Sequence, residues 1–158
     1  MMRHFHAAIA CIGIIGTGCS QAAPPSAAQC SVTAPTEMEG VSGRWLGGCT
    51  GEKASGVGVL RVGDRAPFSF FFGRATAGRP QTGLIMLRSG NMIQIRGITD
   101  AGDVLSADGE HLAEQDRAWA DAAAGARLVA RRFAAAGNKG SAAYYARWAQ
   151  RIETQRPE

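Results

Sequence analysis

A tryptophan followed by spaced glycines limits what this chain can fold into more than any other stretch. Residues 43–60 run Gly-Arg-Trp-Leu-Gly-Gly-Cys-Thr-Gly-Glu-Lys-Ala-Ser-Gly-Val-Gly-Val-Leu, with Trp45 ahead of Gly47, Gly51, Gly56 and Gly58. Glycine in a strand forfeits backbone freedom and brings no side chain to pack, so its recurrence here calls for a geometric cause. The cause expected is a tight β-hairpin, with 44–48 ascending, 50–55 turning and 57–62 descending. Gly51 and Gly56 are expected to take positive φ at the turn, while Gly56 and Gly58 clear space for the Trp45 ring.

The spacing resembles the MORN repeat, whose pattern is aromatic-x-Gly, then Gly, then Gly-x-Gly. Trp45-Leu46-Gly47, Gly51 and Gly56-Val57-Gly58 fill those places. A second copy, Phe72-Gly73, Gly78 and Gly83-Leu84-Ile85, follows after about 25 residues and departs from the pattern at Ile85, where a last glycine belongs. The resemblance covers 42–87. It implies antiparallel hairpins used for interaction rather than catalysis, with Trp45 and Phe72 as a candidate binding surface. A glycine-rich meander unrelated to that family fits the same residues.

The rest of 40–107 also reads as β structure. Pro67 to Gly73 carries Phe68, Phe70, Phe71 and Phe72, an aromatic run of strand length expected at the centre of the core. Ser89-Gly90-Asn91 is a hairpin signal between 83–88 and 92–98. In the latter, Ile93 and Ile95 alternate with Gln94 and Arg96, predicting one buried and one wet face. A turn at 100–103 and a short strand at 104–106 complete five or six antiparallel strands in sequence order.

At residue 108 the pattern changes to alanine-rich helix. Leu112, Trp119, Ala122, Ala126, Val129 and Phe133 fall on one stripe, with Asp108 as the expected N-cap. Gly137-Asn138-Lys139-Gly140 stops this helix, and Ser141 is expected to cap a second, running to about Gln155 with Tyr145, Trp148 and Ile152 on one face. The fold class is therefore α+β: an antiparallel β-meander of MORN-like hairpins followed by a C-terminal αα-hairpin over 108–156. Ala130, Phe133, Gly137, Ala142 and Ala149 faintly resemble one tetratricopeptide unit, though Ala146 departs from it. A solenoid needs about three such units, so the hairpin is expected to pack on the sheet or on a partner.

Residues 1–18 read as an export signal: Arg3 near the start, an apolar run over 7–15, then small residues. The apolar run is too short to span a bilayer, which takes about 20 residues. Gly16-Thr17-Gly18-Cys19-Ser20-Gln21 resembles a bacterial lipobox, with Gly16 where leucine is usual; that resemblance implies acylation of Cys19. Ordinary cleavage after Ala22 is the rival. Residues 19–39 read as a flexible tether, rich in Pro, Ala, Ser and Gln at its start. Export to an oxidising compartment leaves Cys30 and Cys49 to form a disulfide, worth roughly 3 kcal/mol for a loop of this length. A zinc site is the alternative, but no histidine lies nearby.

Chemistry-bearing motifs are sparse. His111 beside Asp108, Glu110 and Glu114 offers a general acid/base or half a metal site, or simply an acidic helix start with an exposed histidine. No Gly-x-Ser-x-Gly, His-Glu-x-x-His or Cys-x-x-Cys occurs. The expectation is a non-catalytic chain without cofactor or metal. The net charge of +4 is uneven, with Arg127, Arg131, Arg132, Lys139, Arg147 and Arg151 on the helical hairpin. An anionic envelope surface or acidic partner would be attracted there, and export makes nucleic acid an unsuitable one. Two functions follow as expectations. One is a lipoprotein on the periplasmic side of a membrane, the outer one if Ser20 directs sorting, that binds an envelope protein or lipid surface. The other is an immunity or inhibitor protein that blocks an envelope-attacking enzyme with a protruding loop over 74–81, carrying Arg74 and Arg79. A secreted periplasmic protein of other activity is the remaining reading.

Overall fold

The computed structural model describes residues 29–38, 40, 42–107 and 112–157. The expected export signal and the residues Cys19, Asp108, Glu110 and His111 lie outside this range.

The aromatic run supplies the centre of the sheet. Strand β3 (Lys53–Val62) pairs antiparallel with β4 (Ser69–Thr76), which pairs in turn with β5 (Arg79–Met86), then β6 (Met92–Ile98) and β7 (Val104–Ser106). On the other side of β3, two short strands share its length: β1 (Gly43–Trp45) along 60–62 and β2 (Gly48–Thr50) along 53–55. The described residues thus form a meander of seven strands, followed by two helices, α1 (Leu112–Ala135) and α2 (Lys139–Gln155). The α+β architecture with a C-terminal αα-hairpin is what the sequence predicts.

Alternation along β4 splits its phenylalanines between two cores. Phe70 and Phe72 face the helices with Val59, Leu84, Trp119, Val129 and Tyr145. Phe71 faces the opposite side with Trp45, Leu60, Val62, Ile85 and Ile95. Each such side chain, fully buried, stabilises the fold by roughly 1.5–3 kcal/mol. Helix α1 lies across β3, β4 and β5 and reaches β6, so the second face is covered over most of the sheet; on β6 the expected alternation holds, with Ile95 buried and Arg96 exposed. Phe68 stands just before β4, half-buried at the sheet's end.

The opposite core is closed by a segment expected to be tether. Residues 29–38 run as a strap across three turns. Ser31 N–H donates to Glu52 O at 2.7 Å, Thr33 N–H to Gly78 O at 2.8 Å and Thr36 N–H to Gly102 O at 3.1 Å. Cys30 and Met38 are buried beneath it, and Cys30 is bonded to Cys49 with their Cα atoms 5.7 Å apart. Apolar side chains and backbone pairing hold the strap, features that a composition-based reading as linker passes over.

The first hairpin turns more tightly than expected. Thr50 pairs with Lys53, so only Gly51 and Glu52 form the turn, and β3 continues through 53–55 as strand. Gly51 has the positive φ (59°) that the turn needs. Gly56 (φ 79°) sits inside β3 and not at the turn, and a Cβ there would meet nothing. Gly58 clears the ring as expected, a Cβ there lying 2.6 Å from Trp45 Cζ2, and Gly47 takes the place expected of Gly56. The same device recurs in the β4–β5 hairpin. Gly73 pairs with Gly83, and a Cβ on either would strike the Phe71 ring. The ring over the second glycine pair thus belongs to Phe71, and Phe72 faces the helices.

Gly58 has a further neighbour. From the other face α1 brings Gly125 so close that a Cβ there would overlap the Gly58 carbonyl oxygen. Helix and strand meet backbone on backbone at this point, which the small-residue run Ala122, Ala123, Gly125, Ala126 allows. Two helix details differ from expectation. Leu112 is 71% exposed, so the buried stripe begins at Ala118 and Trp119. Asn138, and not Ser141, is the N-cap of α2; its side-chain oxygen accepts from Ser141 N–H at 3.0 Å. Asparagine shares serine's capping chemistry and sits three residues earlier, where the N3 amide can reach it.

Candidate functional site

The residues proposed from sequence as a binding surface are mostly interior. Trp45 is 4% exposed and Phe72 1% exposed. The Trp45 indole N–H donates to Gly48 O at 2.8 Å, locking the ring over its glycines. Arg74 Nη2 lies 3.0 Å from Asp121 Oδ1 and its Nε 3.2 Å from Oδ2, while Thr82 also donates to Oδ2. Asp121, buried on α1, thereby ties the helix to β4 and β5. Its hydrogen bond raises the Arg74 pKa above the ordinary arginine value, outweighing partial desolvation. Arg79 donates to Asp100 at 2.6 Å and to Ile98 O at 3.0 Å. No protruding loop exists over 74–81. Those residues are paired strand around the two-residue turn Ala77-Gly78, which takes positive φ at both positions and is held under the strap.

Part of the basic group on the helices is likewise engaged. Arg127 pairs with Glu153, and Arg132 donates to the carbonyls of Leu46 and Gly47. Glu114, once grouped with His111, approaches Arg96 at 3.8 Å. Among the described residues no three His, Cys, Asp or Glu side chains come together as a metal-ligand set, and no helix is long and apolar enough to cross a membrane.

The feature that is built and open lies at the far end of the sheet from the disulfide. Phe68 and Phe70, the end of β5 (Met86), the start of β6 (Met92) and one side of α2 enclose a cleft with two adjoining lobes of about 560 and 320 Å³. Spacing on α2 explains its wall. Tyr144, Trp148, Arg151 and Gln155 recur at four, three and four residues, one helical stripe that faces the cleft. Tyr145, Ala149 and Ile152 form the neighbouring stripe and are buried. The sequence predicts Trp148 on one face with Tyr145 and Ile152; in the structure it is half-buried and stands on the neighbouring stripe, with Tyr144 and Arg151, because a residue four on from Tyr144 lies directly above it on the helix.

The rings form a connected floor. Centroids lie 6.1 Å apart for Phe68 and Phe70, 6.2 Å for Phe70 and Trp148, and 6.1 Å for Phe70 and Tyr144. A guanidinium caps each side: Arg61 stands 4.6 Å over the Phe68 ring and Arg151 4.7 Å over Trp148. Neither pairs with a carboxylate among the described residues, and Arg61 Nε is buried without a hydrogen-bond partner. Among the described residues no Asp or Glu lines either lobe. Tyr144 and Met92 are 37% and 38% exposed, two of the few large apolar side chains left so open. Tyr145, below the cleft, has its phenol pushed up to about 12 by burial, which disfavours the phenolate.

A second groove of about 410 Å³ lies beside Trp45 and the disulfide, but its Arg132 is already spent on backbone carbonyls. Against these observations, no protein-family model, no curated protein and no solved structure matches this chain.

Proposed function

We propose that this protein is a cell-envelope lipoprotein, acylated at Cys19, that acts as a non-catalytic binding module through the aromatic cleft between α2 and the β4–β6 end of the sheet. The observation that carries the reading is the cleft itself: a ring floor with two arginines that pair with no carboxylate among the described residues. A folded protein leaves few large apolar side chains in one open concavity unless they meet something. This moves the contact surface from Trp45 and Phe72, as kinship with the MORN repeat suggests, to side chains that the hairpins and helices build together. What supports that kinship is the repeated seating of an aromatic ring over cross-strand glycines, Trp45 over Gly58 and Phe71 over Gly73 and Gly83.

The Cys30–Cys49 disulfide supports residence in an oxidising compartment. The strap begins at the disulfide, so the cleft lies at the opposite end of the sheet from residue 29. Metabolic labelling with palmitate tests the anchor: the wild type takes up label and Cys19→Ser does not; an unlabelled wild type removes the lipoprotein reading. For the cleft, in-cell crosslinking from a photoreactive residue at position 92 is expected to yield an adduct that Tyr144→Ala abolishes. An adduct indifferent to that change would place the contact elsewhere.

A further inference from the structure

Taking the cleft as the binding site, we infer that its occupant is an acidic segment of a partner protein, extended, with an apolar or aromatic side chain between carboxylates. The row Arg61, Phe68, Phe70, Trp148, Arg151 advances in steps of 4.6, 6.1, 6.2 and 4.7 Å. It spans at most about 22 Å, the reach of six or seven extended residues. Cations at both ends and rings between them match a peptide whose carboxylates flank its apolar side chain. Guanidiniums stacked on rings keep their in-plane N–H groups free, and those groups grip a carboxylate in bidentate fashion. Methionines at the margin, Met86 and Met92, adapt to the shape of an inserted side chain.

Two other occupants fit worse. A glycan can stack on rings, but the neutral hydrogen-bonding groups here are few (Gln155, Ser141 and the tyrosine hydroxyls), and two guanidiniums without a carboxylate favour a charged ligand over it. A bilayer is met by protruding side chains, whereas these rings line a concavity. No acid among the described residues lines the cleft to compete with Arg61 and Arg151, so this pair of cations favours acidic partners.

Selection of a phage-displayed random dodecapeptide library against the purified full-length protein tests this. The expected result is enrichment of peptides bearing Asp or Glu on both sides of Phe, Trp, Leu or Met. Binding of the best synthetic peptide should weaken about tenfold or more in Arg61→Gln/Arg151→Gln, a factor set by losing charge-assisted bonds. Arg151→Gln alone, on the exposed helix face, should weaken it measurably with an unchanged melting curve. Enriched peptides without acidic bias, or equal affinity in the double variant while Tyr144→Ala still abolishes binding, would overturn the acidic class and leave the cleft standing. Peptides whose binding ignores both Tyr144→Ala and Met92→Glu would sink the cleft as well. Failure to enrich any peptide, with arginine-dependent binding to phosphatidylglycerol vesicles, would replace the protein partner with lipid.

Discussion

The two ends of the sheet are finished differently. At the end where the chain enters, each turn is tied down: the strap donates to Glu52, Gly78 and Gly102, a disulfide joins Cys30 to Cys49, and Arg79 is held by Asp100 and the Ile98 carbonyl. At the other end, rings and two cations sit partly open, with no carboxylate among the described residues to answer them. Polar groups at the first end are satisfied by the chain itself, so little there is left to offer a partner. The second end withholds that closure, which costs some stability and leaves binding capacity. On the proposed reading, stability and recognition are separated by the length of a strand.

That separation can be broken by substitution, and the largest effect belongs to the tied end. Trp45→Ala removes the ring that covers Gly47 and Gly58 and frees the Gly48 carbonyl. A loss of about 3–5 kcal/mol in chemical denaturation is expected, with the acidic peptide still bound by whatever fraction stays folded. Replacing Cys30 and Cys49 by serine should cost about 3 kcal/mol by the same measurement, again without changing affinity. An affinity change in either variant would join the two ends energetically and end the distinction.

Tyr145 lies between the regimes, buried beneath the cleft wall and stacked on Phe133 at 5.6 Å. Its folded pKa, about 12, exceeds the unfolded value near 10. Between those values the unfolded chain releases a proton that the native protein retains, so stability is full below pH 10 and falls as pH rises toward 12. Denaturation midpoints followed from pH 9 to 12 should show this decline, and Tyr145→Phe should flatten it. The smallest stability effect is expected at the open end. Tyr144→Ala, at a side chain already 37% exposed, should shift stability by about 1 kcal/mol or less while removing peptide binding. A larger loss would mean that the cleft wall is structural.

How much of this could be read from the chain depended on range. Local periodicity exposed the strands, the Ser89-Gly90-Asn91 turn, both helices and their stop at Gly137, because each is written in neighbouring residues. Two cysteines left once the expected leader and Cys19 are set aside specified their own pairing. The cleft was illegible because Phe68 and Phe70 stand more than 70 residues from Tyr144 and Trp148. Only the way α2 folds back on α1 brings them together. Arg74 and Arg79 looked available because their partners, Asp121 and Asp100, come from elements distant in sequence. The strap hid for a related reason: Val32, Pro35 and Met38 resemble linker residues until a sheet is placed beneath them.

The Gly125–Gly58 contact has one more consequence. An inner helix seated with no side chain in between has no slack to rise, slide or roll, so α1 serves as a fixed backing plate. The outer helix rests on that plate and touches the strands only through rings and long side chains. A guest entering between Tyr144 and Phe68 therefore works against rotamers alone, and the jaws of the cleft can widen while the frame behind them stays still.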